Sequence, residues 1–492
     1  MKAAAETFSS RWGLVIATLG MAVGTGNIWR FPRIAASNGG GSFLVAWVVF
    51  LFLWSVPLMI VEFSSGKMSR RGTVGTFVTL GGKNMAWMGG FVALCATAIM
   101  FYYSVVTGWC FRYLAASVSG GLADSQAAEA LWNSYAGQPV SLITHALAIA
   151  LGGAVVWFGV RGIEKVAKIL IPTLALMVVI LAARAVTLPG AEAGLAFLFT
   201  PDWNALLEPK IWLEALTQNA WDTGAGWGLI LTYAIYMRAR EDVALNAFLV
   251  GFGNNLMSLL AGIMVLCTIF AINPQAQSEI VGAGNEGLTF IWMPQLFAEM
   301  PGGSLFMVLF FAALSFAALT SLIAMIELAT RVLIDAGLPR RTALLGVLTA
   351  GLVLGAPSAL SLSVFQNQDW VWGVGLMLSG LFFSIAAARF GLERLRREVV
   401  NGPGNDLRIG RWWVVLVGVV VPVEAVTLMV WWLYEARGWD VEGWLDPFQP
   451  ATVGTVLLQW TVALVLLLLA NRWLARHSGT APSTSESKGE SS

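Results

Sequence analysis

Residues 20–32 read GMAVGTGNIWRFP and lie inside an apolar stretch. Gly20, Gly24 and Gly26 crowd the middle of what should be a spanning helix, and Asn27 and Arg30 follow. Each glycine weakens a helix by about 1 kcal/mol relative to alanine. In hydrocarbon a freed carbonyl finds no water, so broken backbone survives there only when buried in protein or lining a wet cavity. Free carbonyls at such a break can ligate a cation, and free N–H groups can hold an anion. A glycine-rich packing face is the plainer reading, but Asn27 and Arg30 do not suit it. Residues 218–228, QNAWDTGAGWG, repeat the oddity. There Gly224, Gly226 and Gly228 interrupt an apolar run beside Gln218 and Asp222. A charge at the bilayer centre costs at least about 2.5–3.5 kcal/mol, so Asp222 needs a purpose or a partner. Tyr102, Tyr103, Asn254, Asn255, Thr320, Ser321 and Glu327 add polar groups inside other apolar runs. Hydroxyls such as Thr320 and Ser321 commonly bond back to their own helix and, standing alone, would be read that way.

The elements that must hold these residues are long and apolar. The chain is 57% hydrophobic and 12% charged, against about 25% charged in soluble domains. Twelve segments are long enough to span as helices: about 12–36, 41–66, 86–118, 141–160, 163–186, 211–237, 243–272, 304–334, 342–358, 369–391, 412–434 and 450–474. With the N-terminus placed in the cytoplasm, the outer side keeps only Arg30, Arg33, Arg112, Arg184, Lys210 and Arg437 of the 29 Lys and Arg. So strong a bias supports both the segment count and cytoplasmic termini. The two glycine-broken segments are the first and the sixth. They hold equivalent places if segments one to five and six to ten are two halves of one unit, which points to a midplane binding site.

Other classes fit poorly. Lys2 and the apolar residues 14–23 resemble a signal peptide, but no A-x-A site follows, and Arg30 and Arg33 stand where cleavage should occur. A net charge of +1 without a basic patch beyond the inner loops gives no reason to expect nucleic acid. Cys95, Cys110 and Cys267 lie in apolar segments without metal or disulfide spacing and read as core residues. His145 and His477 form no cluster. Residues 477–492 are Ser-, Gly- and Thr-rich and are expected to be disordered.

GMAVGTGNIWRFP with NGGGSF at 38–43 is a specific signature. Tyr102-Tyr103, LTYAIY at 231–236, the Asn254 region and AALTS at 317–321 accompany it. On these motifs the chain resembles the neurotransmitter:sodium symporter family, whose structural prototype is a bacterial leucine transporter. The match runs from about residue 11 to 392 and more weakly through the last two segments. It implies an all-α polytopic membrane protein with twelve transmembrane helices, a 5+5 inverted repeat of the leucine-transporter fold plus two peripheral helices. The expected organisation is an arm at 1–11, a transport core at 12–395 with repeats about 12–186 and 211–391, helices 11–12 within 396–476, and a tail at 477–492.

The resemblance also implies a ligand set. Sodium site one would use the carbonyl of Ala22, the side chains of Asn27 and Asn254, and Asp222. Sodium site two would use the carbonyls of Gly20, Val23 and Ala317 with the hydroxyls of Thr320 and Ser321. The substrate would touch Ala22, Thr25, Gly26, Ile99, Tyr103, Trp221, Asp222, Gly224, Trp227, Ser321 and Met325. Tyr103 and the amides of Thr25 and Gly26 are placed for a carboxylate. Arg30 and Asp369 match the outer gate, with Trp227 as lid, and Tyr236 and Asp335 match the inner gate.

Several positions depart from the family. Position 222 is usually Ser or Thr; here it is Asp. Gln218, Asn254 and Ser258 fit a chloride site, but the usual Tyr is Trp47, and chloride-independent relatives often carry Glu where this chain has Ser258. Asp222 therefore reads as the fixed negative charge that replaces chloride; the alternative is a structural carboxylate paired with a nearby donor. Gly224 replaces a usual Ser, Gly24 is intact where amine carriers place Asp, and Ala5 stands where an inner-gate Arg is expected, leaving Lys2 or Arg11 as substitutes. The expected function is sodium-coupled import of an amino acid or related small zwitterion across the cell membrane by alternating access, without chloride. A non-transporting sensor is the alternative. An intramembrane enzyme lacks a metal set, a Ser–His pair or paired intramembrane Asp residues.

Overall fold

A computed structural model describes residues 6–122 and 126–478. Lys2 and Ala5 of the arm, and residues 479–492 of the expected tail, lie outside the described residues. The helices introduced below are α1 (Arg11–Ala22), α2 (Gly26–Ser37), α3 (Gly41–Ser69), α4 (Thr73–Gly81), α5 (Lys83–Val118), α6 (Ala127–Tyr135), α7 (Ser141–Trp157) and α8 (Gly159–Val186). They continue as α9 (Ala191–Phe199), α10 (Pro209–Asp222), α11 (Leu229–Ala234), α12 (Val243–Ile272), α13 (Met293–Glu299), α14 (Gly303–Asp335) and α15 (Arg340–Leu360). The last three are α16 (Leu362–Phe390), α17 (Trp412–Trp439) and α18 (Val453–Arg476).

Nine of these are long and apolar enough to cross a membrane, and the pair α1–α2, bent by 52°, makes a tenth. The 17-residue α7 and the broken pair α10–α11 complete the twelve expected spans. Apolar side chains such as Ile143, Val353, Val430 and Leu469 point outward, as lipid contact requires, while Asn27, Asp222, Asn254 and Glu327 are buried. α5 and α14 pack closely along each other at the centre, α12 packs on α8 and α9, and α11 lies against α3.

The sixth span is divided between Asp222 and Leu229, where the glycine run predicts a break. One boundary differs from the sequence reading. The tenth begins at Leu362, because the Ser361 side chain accepts from the Val364 N–H and caps the helix there. Asp369 consequently sits about two turns inside α16 rather than at its start.

Candidate functional site

Both glycine-rich runs are breaks. At the first, Val23 leaves the helix with φ −74° and ψ 93°, and helical backbone resumes at Gly26 as one wide turn. The Asn27 side chain accepts from the Gly24 N–H at 2.8 Å and so caps the break from within. A Cβ at Gly24 would sit 3.1 Å from the Tyr103 hydroxyl and 3.0 Å from Ser321 Oγ, so any larger residue would crowd both hydroxyls. At the second break Gly224, Gly226 and Gly228 have φ of +68°, +88° and +79°, a left-handed geometry that suits glycine. Its free amides turn to Glu62 on α3: Gly226 N–H donates at 2.6 Å and Leu231 N–H at 3.0 Å. Glu62 is fully buried and escaped the sequence reading. A lone carboxylate in VPLMIVEFSS was the signal that could have found it.

Between the breaks lies a cavity with about 80 Å³ open to the centre of a water-sized sphere, against roughly 10–15 Å³ for one water. Ala22, Thr25, Gly26, Asn27, Ile99, Tyr103, Trp221, Asp222, Gly224, Trp227, Ser321 and Met325 line it, as do Arg30 and Asp369. Tyr102, Gln218, Asn285, Glu286 and Phe365 line it too, without having been assigned to the substrate. Tyr103 Oη accepts from the Thr25 N–H at 3.1 Å and from Thr25 Oγ1 at 3.2 Å, which holds phenol and broken backbone together. Glu286 belongs to the segment between α12 and α13, where burial raises its carboxyl above the ordinary range; Asp369 adds to this and Arg33 opposes it.

The residues assigned to sodium site one converge. Asn27 Nδ2 donates to Asn254 Oδ1 at 2.9 Å and to Ser258 Oγ at 2.7 Å, and Ser258 Oγ donates to Asp222 Oδ2 at 2.6 Å. The Asn254 amide ends 3.1 Å from the Asp222 carbonyl oxygen and 3.3 Å from that of Ala22. Turned one way its nitrogen donates to both. Turned the other, three oxygens converge, an arrangement that a cation stabilises. Asp222 Oδ1 is buried without a hydrogen-bond partner and lies 3.2 Å from where a Gly26 Cβ would stand.

The residues assigned to site two lie where α1 meets α14. Ser321 Oγ donates across to the Met21 carbonyl at 3.1 Å. Thr320 Oγ1 bonds back to Phe316 O at 2.9 Å and Ala317 O at 3.1 Å, and a Cβ at Gly20 would sit 3.5 Å from its side chain. Val23 still closes a turn onto Leu19 O at 2.7 Å. All these donors are hard oxygens, which suit an alkali cation. Among the described residues no group of three or more His, Cys, Asp or Glu is arranged for a metal.

The gate residues are arranged differently from their expected pairing. Among the described residues no ion pair joins Arg30 to Asp369; the Arg30 guanidinium stacks instead on Trp221, 4.7 Å from the ring centroid. Trp221 is seated in the hollow of Gly373 on α16, where a Cβ would overlap the ring. The ring beneath Arg30 is thus Trp221, while Trp227 lies edge-on to it and donates to Ala220 O at 3.0 Å. At the other face Tyr236 donates to Glu327 Oε1 at 2.6 Å, and Arg340 grips the same carboxylate at 2.5 Å. Asp335 pairs with Arg331 at 2.7 Å instead of meeting Tyr236. Arg11 turns to Glu241 and Asp406. The arm docks through Phe8, whose N–H donates to Tyr236 O at 3.1 Å and whose ring meets Tyr233 and Tyr236 edge-on.

The model of the sodium:neurotransmitter symporter family matches residues 5–146 and 134–476. An uncharacterized sodium-dependent transporter of Methanocaldococcus jannaschii is 31% identical over 437 residues, covering 85% of this chain and 88% of that protein. The sodium-dependent serotonin transporter of Drosophila melanogaster is 28% identical over 477 residues, covering 86% and 76%. Among solved structures, MhsT in complex with L-phenylalanine matches with a TM-score of 0.76 at 28% identity, covering 87% of this chain and 99% of MhsT. The fold is therefore shared with MhsT.

Proposed function

The chain belongs to the sodium:neurotransmitter symporter family, a multi-pass sodium-dependent transporter and no enzyme, and on that premise we propose that it imports an amino acid or closely related zwitterion without chloride. The observation that carries this reading is the hydrogen-bonded cluster Asn27–Asn254–Ser258–Asp222 beside a cavity that Tyr103 and Trp221 also line. Tyr103 and the amides at Thr25 and Gly26 would take a substrate carboxylate. That carboxylate and sodium would neutralise each other in a low-dielectric pocket, where unit charges attract far more strongly than in water. Neither would bind well alone, and this mutual dependence is the coupling.

Asp222 would supply the fixed negative charge that chloride supplies in other members, since an anion beside it would meet like-charge repulsion. Gly224 lines the cavity with Met21 Sδ 3.0 Å from where its Cβ would stand, and Trp221 and Trp227 bound the same space with aromatic rings. This favours an apolar side chain, in keeping with the L-phenylalanine bound to MhsT. Inward movement of each sodium charge is favoured by about 2.3 kcal/mol per 100 mV. The second sodium would sit between the first break and α14, tying Gly20 and Val23 to Ala317, Thr320 and Ser321. The protein would act in the cell membrane with both termini cytoplasmic.

The test is uptake into proteoliposomes. L-phenylalanine serves as first probe, followed by the remaining amino acids and taurine, under an inward sodium gradient, with choline or potassium as replacement. Uptake driven by sodium and unchanged in gluconate supports the proposal. Uptake indifferent to sodium refutes it, and sodium-dependent binding without uptake would favour the sensor reading.

A further inference from the structure

Ala5 stands where the family places an inner-gate arginine, and Arg11 is spent on Glu241 and Asp406. Asp335 is nevertheless engaged. Arg331, one turn earlier on α14, pairs with it at 2.7 Å, and the Gly72 N–H donates to it at 2.5 Å. Arg331 also donates to the carbonyl of Arg70 at 3.4 Å. Arg70 is the one non-glycine with positive φ, 55°, among the described residues, and it ends α3 in the left-handed conformation. That geometry is strained for arginine and persists where the surroundings demand it. Its N–H closes the end of α3 onto Gly66 O at 3.0 Å, and its side chain donates to Ile235 O at 2.8 Å and also to Met237 O.

Ile235 and Met237 follow α11, the helix that leaves the second break. Carbonyls at a helix C-terminus lack intrahelical donors and carry partial negative charge, so a guanidinium suits them. Residues 70–72 thus stitch together three inner ends: α3 by the chain itself, the end of α11 by the Arg70 side chain, and α14 through Gly72, Asp335 and Arg331. α11 leads from the cavity, and α14 carries Thr320 and Ser321. A join between them has to part before the cavity opens to the inner face.

We propose that the loop 70–72 is the inner latch of this transporter: Arg70 grips the end of the broken helix, and Gly72 fastens it to Asp335, in place of an arm-to-core ion pair. The proposal rests on the transport reading above, but its test does not. Hydrogen–deuterium exchange of the full chain in nanodiscs, in potassium and in sodium, reads latch opening without any substrate. Arg70→Asn removes the guanidinium while tolerating the left-handed backbone. Arg70→Lys keeps the charge but loses the fork. Asp335→Asn keeps an acceptor for Gly72 and removes the charge facing Arg331, and it stands in if the Arg70 variants do not accumulate.

In potassium, Arg70→Asn should speed exchange at 232–237 and at 8–12 by about tenfold, as expected for loss of charge-assisted hydrogen bonds. Arg70→Lys and Asp335→Asn should give smaller increases. Exchange in the outer loop at 285–292 should stay unchanged or slow, and saturating sodium should suppress the difference. Faster exchange confined to 69–73 would make Arg70 a local cap and overturn the proposal. So would an increase spread evenly over every helix, which would mean general loss of stability. If transport fails in the wild type but this pattern holds, the latch stands and the transport reading falls.

Discussion

Asp222→Asn isolates a charge with little change of shape. In the native protein Asp222 Oδ2 accepts the Ser258 hydroxyl at 2.6 Å, and Ser258 in turn accepts from Asn27 at 2.7 Å. An asparagine carbonyl can keep that bond, and its NH2 would occupy the place of the unpartnered Oδ1. The chain of hydrogen bonds survives and one negative charge disappears. An interaction with a charged group is worth about 1.5–3 kcal/mol, so sodium affinity should fall about 10–150-fold. On the empty return step the native carboxylate would be buried without its sodium, and it would carry a proton outward; the Asn variant would not. Asp222→Ser restores the usual family residue beside Gln218, Asn254 and Ser258, and should gain partial chloride dependence, limited by Trp47. The assay is L-phenylalanine uptake into proteoliposomes as a function of sodium, in chloride and in gluconate, with a pH dye inside the vesicles. A wild type that needs chloride, or an Asn variant with native sodium dependence and unchanged proton movement, would show that Asp222 is a structural carboxylate.

Tyr103→Phe should weaken equilibrium binding of the transported amino acid by about 1.5–3 kcal/mol with normal expression; unchanged affinity would mean that the carboxylate is held elsewhere. Glu62→Gln leaves a donor facing one of the two amides at Gly226 and Leu231. It should lower the melting temperature and reduce binding together, because an unsatisfied buried polar group costs about 1–3 kcal/mol or more. Asn27→Ala and Thr320→Ala should each raise the sodium concentration for half-maximal uptake, and indifference to both would remove them from the ligand sets. Gly373→Ala should push Trp221 out of its seat and from under Arg30, speeding substrate dissociation toward the outer side in a filter-binding chase. An unaltered off-rate would show that Trp221 is no lid.

By itself the sequence determined the features that are local along the chain. Hydropathy is summed over about twenty consecutive residues, so the spans were legible. A glycine cluster acts on the backbone that carries it, so both breaks at 24–26 and 224–228 could be read directly. Tertiary structure decided who meets whom. Glu62 reaches Gly226 across 164 positions, and Asn27 reaches Ser258 across 231. No propensity or periodicity encodes such a meeting; it depends on how whole helices pack. The resemblance marks Trp227 as the lid, and only the hollow at Gly373 and the guanidinium of Arg30 show that Trp221 is the ring lying beneath that charge. The same holds around Asp335. Ala5 showed that an expected charge was missing, but only the folded chain brings Arg331 and Gly72 to Asp335. A carboxylate is satisfied by whichever donors the packing presents, not by those its neighbours in sequence suggest.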